Sequence, residues 1–278
     1  MGGGESTLLN QPWREINWRQ KDDLLRFVKR FKPEGASHLR VLLYGPVGVG
    51  KSSFINTAIS IITGRTYSGA GVETSTSATQ SFTTTYRTYK IRSEGKKIPI
   101  VFNDIMGIEA GGGVGVRPDD IRLAMEGHVM DGYTFDQKNT ISPEDGKYNG
   151  NPSIDDKVHV LVCILNANIT EISPEVLVKM REIKEAARDL DIPQMAVATH
   201  IDQICPEIDK DVKNVYKSIA LKKKMEYFTS KVGIPVNCIF PVRNNYEGPD
   251  REAVDVLFLT ALKHIVEFGD DHLFNIYG

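Results

Sequence analysis

An apolar run that leads through a glycine-rich turn into a helical pattern places the strictest constraint on how this chain folds. Residues 39–44 are predicted to form a buried strand, residues 45–52 read G-P-V-G-V-G-K-S, and residues 51–62 are predicted to be helical until Thr63-Gly64. The turn fits G-x-x-x-x-G-K-[ST], whose glycines let backbone N–H groups curve around phosphates at a helix N-terminus. The sequence therefore predicts the phosphate-binding first unit of a parallel α/β sheet.

Further apolar segments are typical of the same kind of sheet. Residues 81–91 and 98–102, joined by a polar turn at 93–97, predict a hairpin. Central strands are predicted at residues 158–165, 194–198 and 236–240, and helices at residues 119–130 and 174–190. The expected fold class is α/β, with a mostly parallel central sheet and helices on both faces.

The chain is predicted to divide into a short N-terminal part and one main domain. Residues 1–36 are expected to form a glycine-rich tail and a helix, and residues 37–278 the main domain. Within that domain, residues 111–156 are rich in Gly, Asp, Asn and Pro. We interpret them as an insertion, because connections of this length are usually functional or mobile.

A second phosphate-proximal motif follows the predicted strand at residues 98–102. Residues 104–107 read D-I-M-G and fit D-x-x-G, in which the carboxylate of Asp104 holds Mg²⁺ through water and the N–H of Gly107 meets the γ-phosphate. In the first motif, Lys51 is expected to reach the β- and γ-phosphate oxygens, and Ser52 to ligate Mg²⁺. Because ligands bind at the carboxyl ends of parallel strands, the two motifs are predicted to meet at one edge of the sheet.

Base recognition is predicted directly after the strand at residues 194–198. The sequence Thr199-His200-Ile201-Asp202 resembles [NT]-K-x-D, whose aspartate accepts hydrogen bonds from the N1 and N2 donors of guanine. Adenine lacks these donors and would leave a buried carboxylate unpaired, so the motif favours guanine. His200 replaces the usual lysine, and we expect its imidazole to stack on the base without bracing the glycine-rich turn at residues 45–52, the P-loop, as a lysine does.

Two further loops are expected to complete the site. Residues 241–246 follow the last predicted strand, and there Val242 and Arg243 are expected to close on the base. Residues 74–79 offer several hydroxyls for a switch threonine that completes the Mg²⁺ shell when a γ-phosphate is present. Thr79 is our first candidate for this threonine and Thr76 our second.

These motifs give one set of candidate site residues. The expected nucleotide-binding residues are Gly45, Val47, Gly48, Val49, Gly50, Lys51, Ser52, Ser53, Gly107, Thr199, His200, Asp202, Val242 and Arg243. The expected metal ligands are Ser52, Thr79 and Asp104, and the residues expected to act in catalysis are Lys51 and Thr79. The expected ligands are GTP or GDP together with Mg²⁺.

Bulk composition argues against several other classes of protein. The 34 basic and 36 acidic residues give a formal net charge of −2, so no overall field favours nucleic acid or an anionic membrane. Three separated cysteines without a C-x-x-C pair indicate neither a disulfide framework nor a zinc site, and no apolar run is long enough to span a bilayer. We expect a cytoplasmic protein that meets a membrane only if Gly2, within an M-G-x-x-x-[ST] pattern, is myristoylated.

With these motifs in order, the chain resembles the interferon-induced protein 44 and 44-like family of GTPase-like proteins, which are related to dynamin-type and septin-type P-loop GTPases. The segments that carry the resemblance are residues 45–56, 104–107, 127–135, 199–202 and 241–246. The resemblance covers the chain roughly from Pro12 to the C-terminus. It implies a G-domain-like P-loop NTPase fold and a cytoplasmic role in innate antiviral defence.

The sequence supports nucleotide binding better than nucleotide turnover. Ras-like GTPases follow D-x-x-G with a glutamine that orients the attacking water, whereas this chain has Ile108 there. Slow or negligible intrinsic GTP hydrolysis is therefore expected.

The leading hypothesis is a guanine-nucleotide-dependent switch or assembly protein with protein partners, among them a second copy of the chain in a homodimer. Two alternatives stay open, namely a scaffold in which nucleotide is structural, and an ATP-dependent kinase, which has no reason to carry the motif at residues 199–202.

Overall fold

A six-stranded sheet forms the centre of the computed structural model, which describes residues 7–71, 85–105, 107–111, 115–136, 139–244 and 247–277. The strands are β1 (Leu39–Tyr44), β2 (Arg87–Ser93), β3 (Lys96–Asp104), β4 (Val160–Asn166), β5 (Gln194–Thr199) and β6 (Ile239–Pro241). Their order is β2-β3-β1-β4-β5-β6; β2 runs antiparallel to β3, and every other neighbouring pair is parallel. The predicted α/β fold class with a mostly parallel sheet is confirmed.

The strands alternate with helices along the chain. The α-helices of the described residues are α1 (Lys21–Arg30), α2 (Lys51–Thr63), α3 (Pro118–Met125), α4 (Pro174–Asp189), α5 (Pro206–Lys210), α6 (Ile219–Val232) and α7 (Arg251–Tyr277). Serine side chains fix two of the helix starts, because Ser173 accepts from the N–H of Val176 and Ser218 from that of Leu221. Among the described residues no helix, α7 included, combines the length and apolar character needed to cross a bilayer.

Helices cover both faces of the sheet because alternate residues of each central strand point to opposite layers. In β1, Leu42 and Tyr44 pack in an apolar cluster with residues of α3, α4 and α6, whereas Val41 and Leu43 pack in a second cluster with residues of α1, α2 and α7. The side chains of β1 on both faces are buried. Such strands read as continuous apolar runs, which is why the sequence identified them.

The last strand starts later than predicted. Residues 236–238 form a 3₁₀ turn in which Cys238 N donates to Pro235 O at 2.8 Å, so the strand predicted at 236–240 begins only at Ile239. This turn takes up the first half of the apolar run, and the apolar composition alone did not distinguish the two conformations.

The helix predicted at residues 119–130 is also shorter than expected. It ends at Met125, since the chain reverses at Gly127, which has a φ of +88°, and His128 N donates back to Leu123 O at 2.9 Å. The predicted hairpin is present as β2 and β3, with its turn at residues 94–95. Its predicted first residues, 81–84, lie outside the described residues.

One buried histidine ties β1 to the turn before β4. His159 is almost fully buried; its Nδ1 accepts from Arg40 N at 2.9 Å and its Nε2 donates to Ile154 O at 3.0 Å. Both ring nitrogens are therefore bonded in the neutral form. Burial, which removes the charged form from water, is the main reason why the pKa of His159 is lowered from 6.5 to about 4; the hydrogen bond to Ile154 opposes the shift, and nearby His272 and Arg40 add to it.

Replacing this histidine by a residue that does not titrate is expected to flatten the dependence of stability on pH. Between about pH 4 and 6.5 the unfolded chain binds a proton at His159 that the native state does not, so stability rises with pH. The full effect is on the order of 3 kcal/mol. We expect the free energy of unfolding of His159→Asn, measured by urea titration, to rise less steeply across this window than that of the wild type. Parallel curves for wild type and variant would contradict this assignment.

Candidate functional site

The glycine-rich turn between β1 and α2 has a backbone that only glycine adopts readily. Gly45, Gly48 and Gly50 have φ values of +149°, +72° and +93°. A Cβ on Gly45 would stand 2.2 Å from the carbonyl oxygen of Ile164 in β4. The turn is therefore held against the neighbouring strand by a contact that leaves no room for a side chain.

Lys51 begins α2 and turns back over the loop. Its side chain is buried, and its Nζ donates to Gly45 O at 3.3 Å and Pro46 O at 3.1 Å. These carbonyl oxygens take the place of water as hydrogen-bond partners of the buried ammonium group. A positive charge is thus held at the centre of a loop whose shape suits an anion, at the N-terminus of a 13-residue helix.

The predicted metal ligands Ser52, in the first turn of α2, and Asp104, at the end of β3, lie side by side. Asp104 pairs with Leu43 in the parallel register of β1 and β3, which brings the carboxylate to the start of α2. Ser52 Oγ donates to Asp104 Oδ2 at 2.6 Å, and both residues are buried. A hydroxyl and a carboxylate are the hard oxygen donors that Mg²⁺ prefers, so these residues fit the ion. Thr79, the third expected ligand, lies outside the described residues, as does Thr76.

The D-x-x-G segment lies directly on the P-loop. Ile108 N donates to Gly45 O at 3.0 Å, and Val47 N donates to Ile108 O at 3.3 Å. Between these bonds, a Cβ on Gly107 would stand 2.6 Å from Val47 Cγ2 and 2.8 Å from its Cα. Glycine at 107 is thus required for the close approach of the two loops; Met106 lies outside the described residues.

Thr199, at the end of β5, links the third motif to the P-loop. Its buried Oγ1 lies 2.7 Å from Val49 O and 3.1 Å from Leu165 O, and 2.9 Å from His200 Nδ1. Because the hydroxyl has one proton and two carbonyls nearby, we assign His200 Nδ1 as the donor to Oγ1. Burial lowers the pKa of His200, although Asp202 opposes the shift, so the ring is neutral near pH 7.

Asp202, the expected base-reading carboxylate, lies beside the loop that follows β6. Its Oδ2 is 3.8 Å from Arg243 Nη2, which is bonded at 2.7 Å to Asp209 Oδ1. Val242, which is buried, donates its N–H to Ala198 O at 2.8 Å and so holds this loop at the end of β5. The structure therefore brings the two segments predicted to hold the base side by side.

One site residue was not singled out from the sequence. Asn244, one residue beyond Arg243, places its Nδ2 3.5 Å from Gly50 O, and the ring of His200 lies near the same glycine. Thr199 and Asn244 therefore brace the P-loop, a role for which the sequence offered no residue once His200 replaced lysine. The only signal was position, because Asn244 stands in the loop predicted to close on the base.

Each remaining predicted residue has a definite place at this edge. Gly48 is the exposed residue of the P-loop's central turn. Val49 is buried, and its carbonyl oxygen is the one that Thr199 contacts. Ser53 lies in the first turn of α2, where its carbonyl accepts from Thr57 Oγ1 at 2.8 Å. The described candidates of all four motifs thus gather at the carboxyl ends of the parallel strands.

Substituting the first glycine of the loop is expected to destabilise the whole domain. In Gly45→Ala the Cβ meets a backbone oxygen of β4 that no rotamer change can move, so we expect a loss of about 2–4 kcal/mol. Gly146→Ala is the matched control, since its Cβ meets nothing within 4 Å. Urea unfolding followed by circular dichroism measures both. Equal stabilities for the two variants would show that the contact with Ile164 is not constraining.

Comparison with known proteins identifies relatives, although no family model matches the chain. It is similar to interferon-induced protein 44-like of Homo sapiens, with 29% identity over 263 residues that make up 91% of this chain and 57% of that protein. It is similar to interferon-induced protein 44 of Homo sapiens, 29% identical over 259 residues, and of Mus musculus, 29% identical over 261 residues. The chain covers 57% and 60% of these two relatives, which is less than two thirds of their length.

Proposed function

This chain is a homologue of the interferon-induced protein 44 and 44-like proteins, and on that premise we propose that it binds GTP or GDP with Mg²⁺ as a switch or assembly protein of innate antiviral defence. One observation carries the proposal. Three segments that are far apart in the sequence donate hydrogen bonds to the same P-loop. Ile108 donates to the carbonyl of Gly45, Thr199 to that of Val49 and Asn244 to that of Gly50. If the glycine-rich turn matched the P-loop pattern only by chance, hydrogen bonds to it from three other segments predicted to bind the nucleotide would not be expected.

The phosphate end of the ligand would lie over the P-loop. Lys51 would exchange the carbonyls of Gly45 and Pro46 for phosphate oxygens, which are better partners for an ammonium because they carry charge. Ser52 and Asp104 would hold Mg²⁺, the serine directly and the carboxylate through water. The ion would supply positive charge that neutralises the phosphates when it is bound.

The base end would lie between Asp202 and the loop at residues 241–244. Asp202 would accept the N1 and N2 protons of guanine and reject adenine, which offers no such pair of donors. The nearby guanidinium of Arg243 is anchored to Asp209 at 2.7 Å and lies 3.8 Å from Asp202. Because Arg243 is anchored to Asp209, it would leave the carboxylate of Asp202 available to the base.

The first test is calorimetric titration with GTP, GDP and ATP in Mg²⁺. We expect guanine nucleotides to bind and ATP to bind more weakly. Asp202→Ala should weaken guanine binding by about 10- to 100-fold, because two charge-assisted hydrogen bonds are lost. Lys51→Ala should weaken both GTP and GDP.

Asp189→Ala is the matched control, because it removes an exposed carboxylate of α4 that pairs with Arg188 and leaves the motif at residues 199–202 and its neighbour Arg243 intact. It should bind guanine nucleotides as wild type does. A preference for ATP would favour the kinase alternative. Absence of any nucleotide binding, with partner binding unchanged in Lys51→Ala, would favour a scaffold and overturn the proposal.

Turnover by the isolated protein is expected to be slow. The apolar Ile108 is buried and occupies the position from which a glutamine would orient water. We expect multiple-turnover hydrolysis of GTP no faster than about 10⁻³ s⁻¹, the intrinsic scale of small GTPases. Phosphate release is measured with Lys51→Ala as the blank for contaminating phosphatase. A rate well above this scale that disappears in Lys51→Ala would contradict the prediction.

A further inference from the structure

Two side chains of α4 hold the loop that follows the D-x-x-G motif. Lys179 Nζ donates to Glu109 O at 2.9 Å and to Gly111 O at 3.0 Å. Glu175 Oε2 accepts from Gly111 N at 2.6 Å. The backbone of this segment is therefore fixed by three charge-assisted hydrogen bonds to one helix, each of a kind stronger than a neutral bond.

The helix that provides these contacts is a rigid support. Residues 175 and 179 are one turn apart and lie on the same face of α4. The adjacent face is buried in the core through Val176, Met180 and Ile183. The cap by Ser173 fixes where the helix starts, so Glu175 and Lys179 present their charged groups to the loop from a defined position.

The other end of the same segment lies on the P-loop. Ile108 exchanges hydrogen bonds with Gly45 and Val47, and Gly107 packs against Val47. Residues 107–111 are thus held between the phosphate loop on one side and α4 on the other. Because Glu109 follows Ile108 directly, a displacement of Gly107 from the P-loop is coupled to the bonds with α4.

We propose that Glu175 and Lys179 are positioning residues that hold the segment at 107–111 where Gly107 meets a γ-phosphate, and so set the preference for a nucleoside triphosphate over a diphosphate. The inference rests on the proposed guanine-nucleotide function. A segment that is ordered before the ligand arrives loses less conformational entropy on binding. GDP has no γ-phosphate and does not draw on this segment, so its affinity is independent of the two side chains.

The positions are suited to mutation because the side chains are at the surface. Glu175 is exposed and Lys179 half-buried, beside an open cavity of about 460 Å³ that Val178, Glu182 and Arg117 also line. Truncating either residue leaves no void in the apolar core. A loss of global stability is therefore not the expected result of these substitutions.

The experiment compares the dissociation constants of GDP and of the non-hydrolysable analogue guanosine imidotriphosphate. We expect Lys179→Ala and Glu175→Ala to weaken the triphosphate about fivefold and to leave GDP unchanged. Glu175→Gln should retain the wild-type ratio, since its amide oxygen still accepts from Gly111 N. Lys184→Ala is the matched control, because Lys184 on the same helix donates to Gly233 O, away from the loop.

Hydrogen exchange of the nucleotide-free protein gives a second readout. The Gly111 amide should exchange faster in Glu175→Ala than in wild type or Lys184→Ala. An unchanged ratio of the two dissociation constants, or an equal loss for both nucleotides, overturns the inference while the proposed function stands. If the wild type binds neither nucleotide, the proposed function fails first, and the inference fails with it.

Discussion

The close approach of Gly45 to β4 is the contact on which the rest of the site depends. Because its α-carbon lies against the carbonyl of Ile164, the P-loop turns tightly enough for Gly45 O to accept from both Lys51 Nζ and Ile108 N. One carbonyl thus joins Lys51 to the D-x-x-G segment. If the P-loop moved away from β4, Lys51 would lose its hydrogen bond to Gly45 O and the D-x-x-G segment would separate from the P-loop.

Parallel strands explain why residues far apart in sequence meet here. β1, β3 and β5 all end at the same edge of the sheet, and each is followed at once by a motif residue. Buried polar groups such as Lys51, Asp104 and Thr199 would each destabilise the fold if left without partners. Instead, Lys51 and Thr199 donate to backbone carbonyls, and Asp104 accepts from Ser52. These polar groups lie at the edge of the sheet, and the apolar layers that the strands share with the helices lie behind them.

The strands, most helices and the three motifs could be predicted because their signals are local. The apolar runs of the strands and the glycine spacing of the P-loop are each recognised from a few neighbouring residues. Contacts that depend on the finished fold could not be predicted. Lys179 and Glu175 read as the solvent-facing side of an amphipathic helix, and nothing in the sequence indicates that a loop some seventy residues earlier passes over them. Asn244 was missed for the same reason, since its partner Gly50 is brought near only by the pairing of β5 with β6.

Replacing the usual lysine with His200 changes how charge and support are distributed along the site. A lysine at this place provides both bracing and a cation. Here the bracing comes from two neutral groups, Thr199 Oγ1 on Val49 O and Asn244 Nδ2 on Gly50 O. Burial lowers the pKa of His200 and keeps its ring uncharged, so it adds no repulsion to Lys51 across the loop. Positive charge is then concentrated at Lys51, whereas the guanidinium of Arg243 lies beside two carboxylates, those of Asp202 and Asp209. That asymmetry suits the proposed ligand, which has one anionic end and one neutral, hydrogen-bonding end.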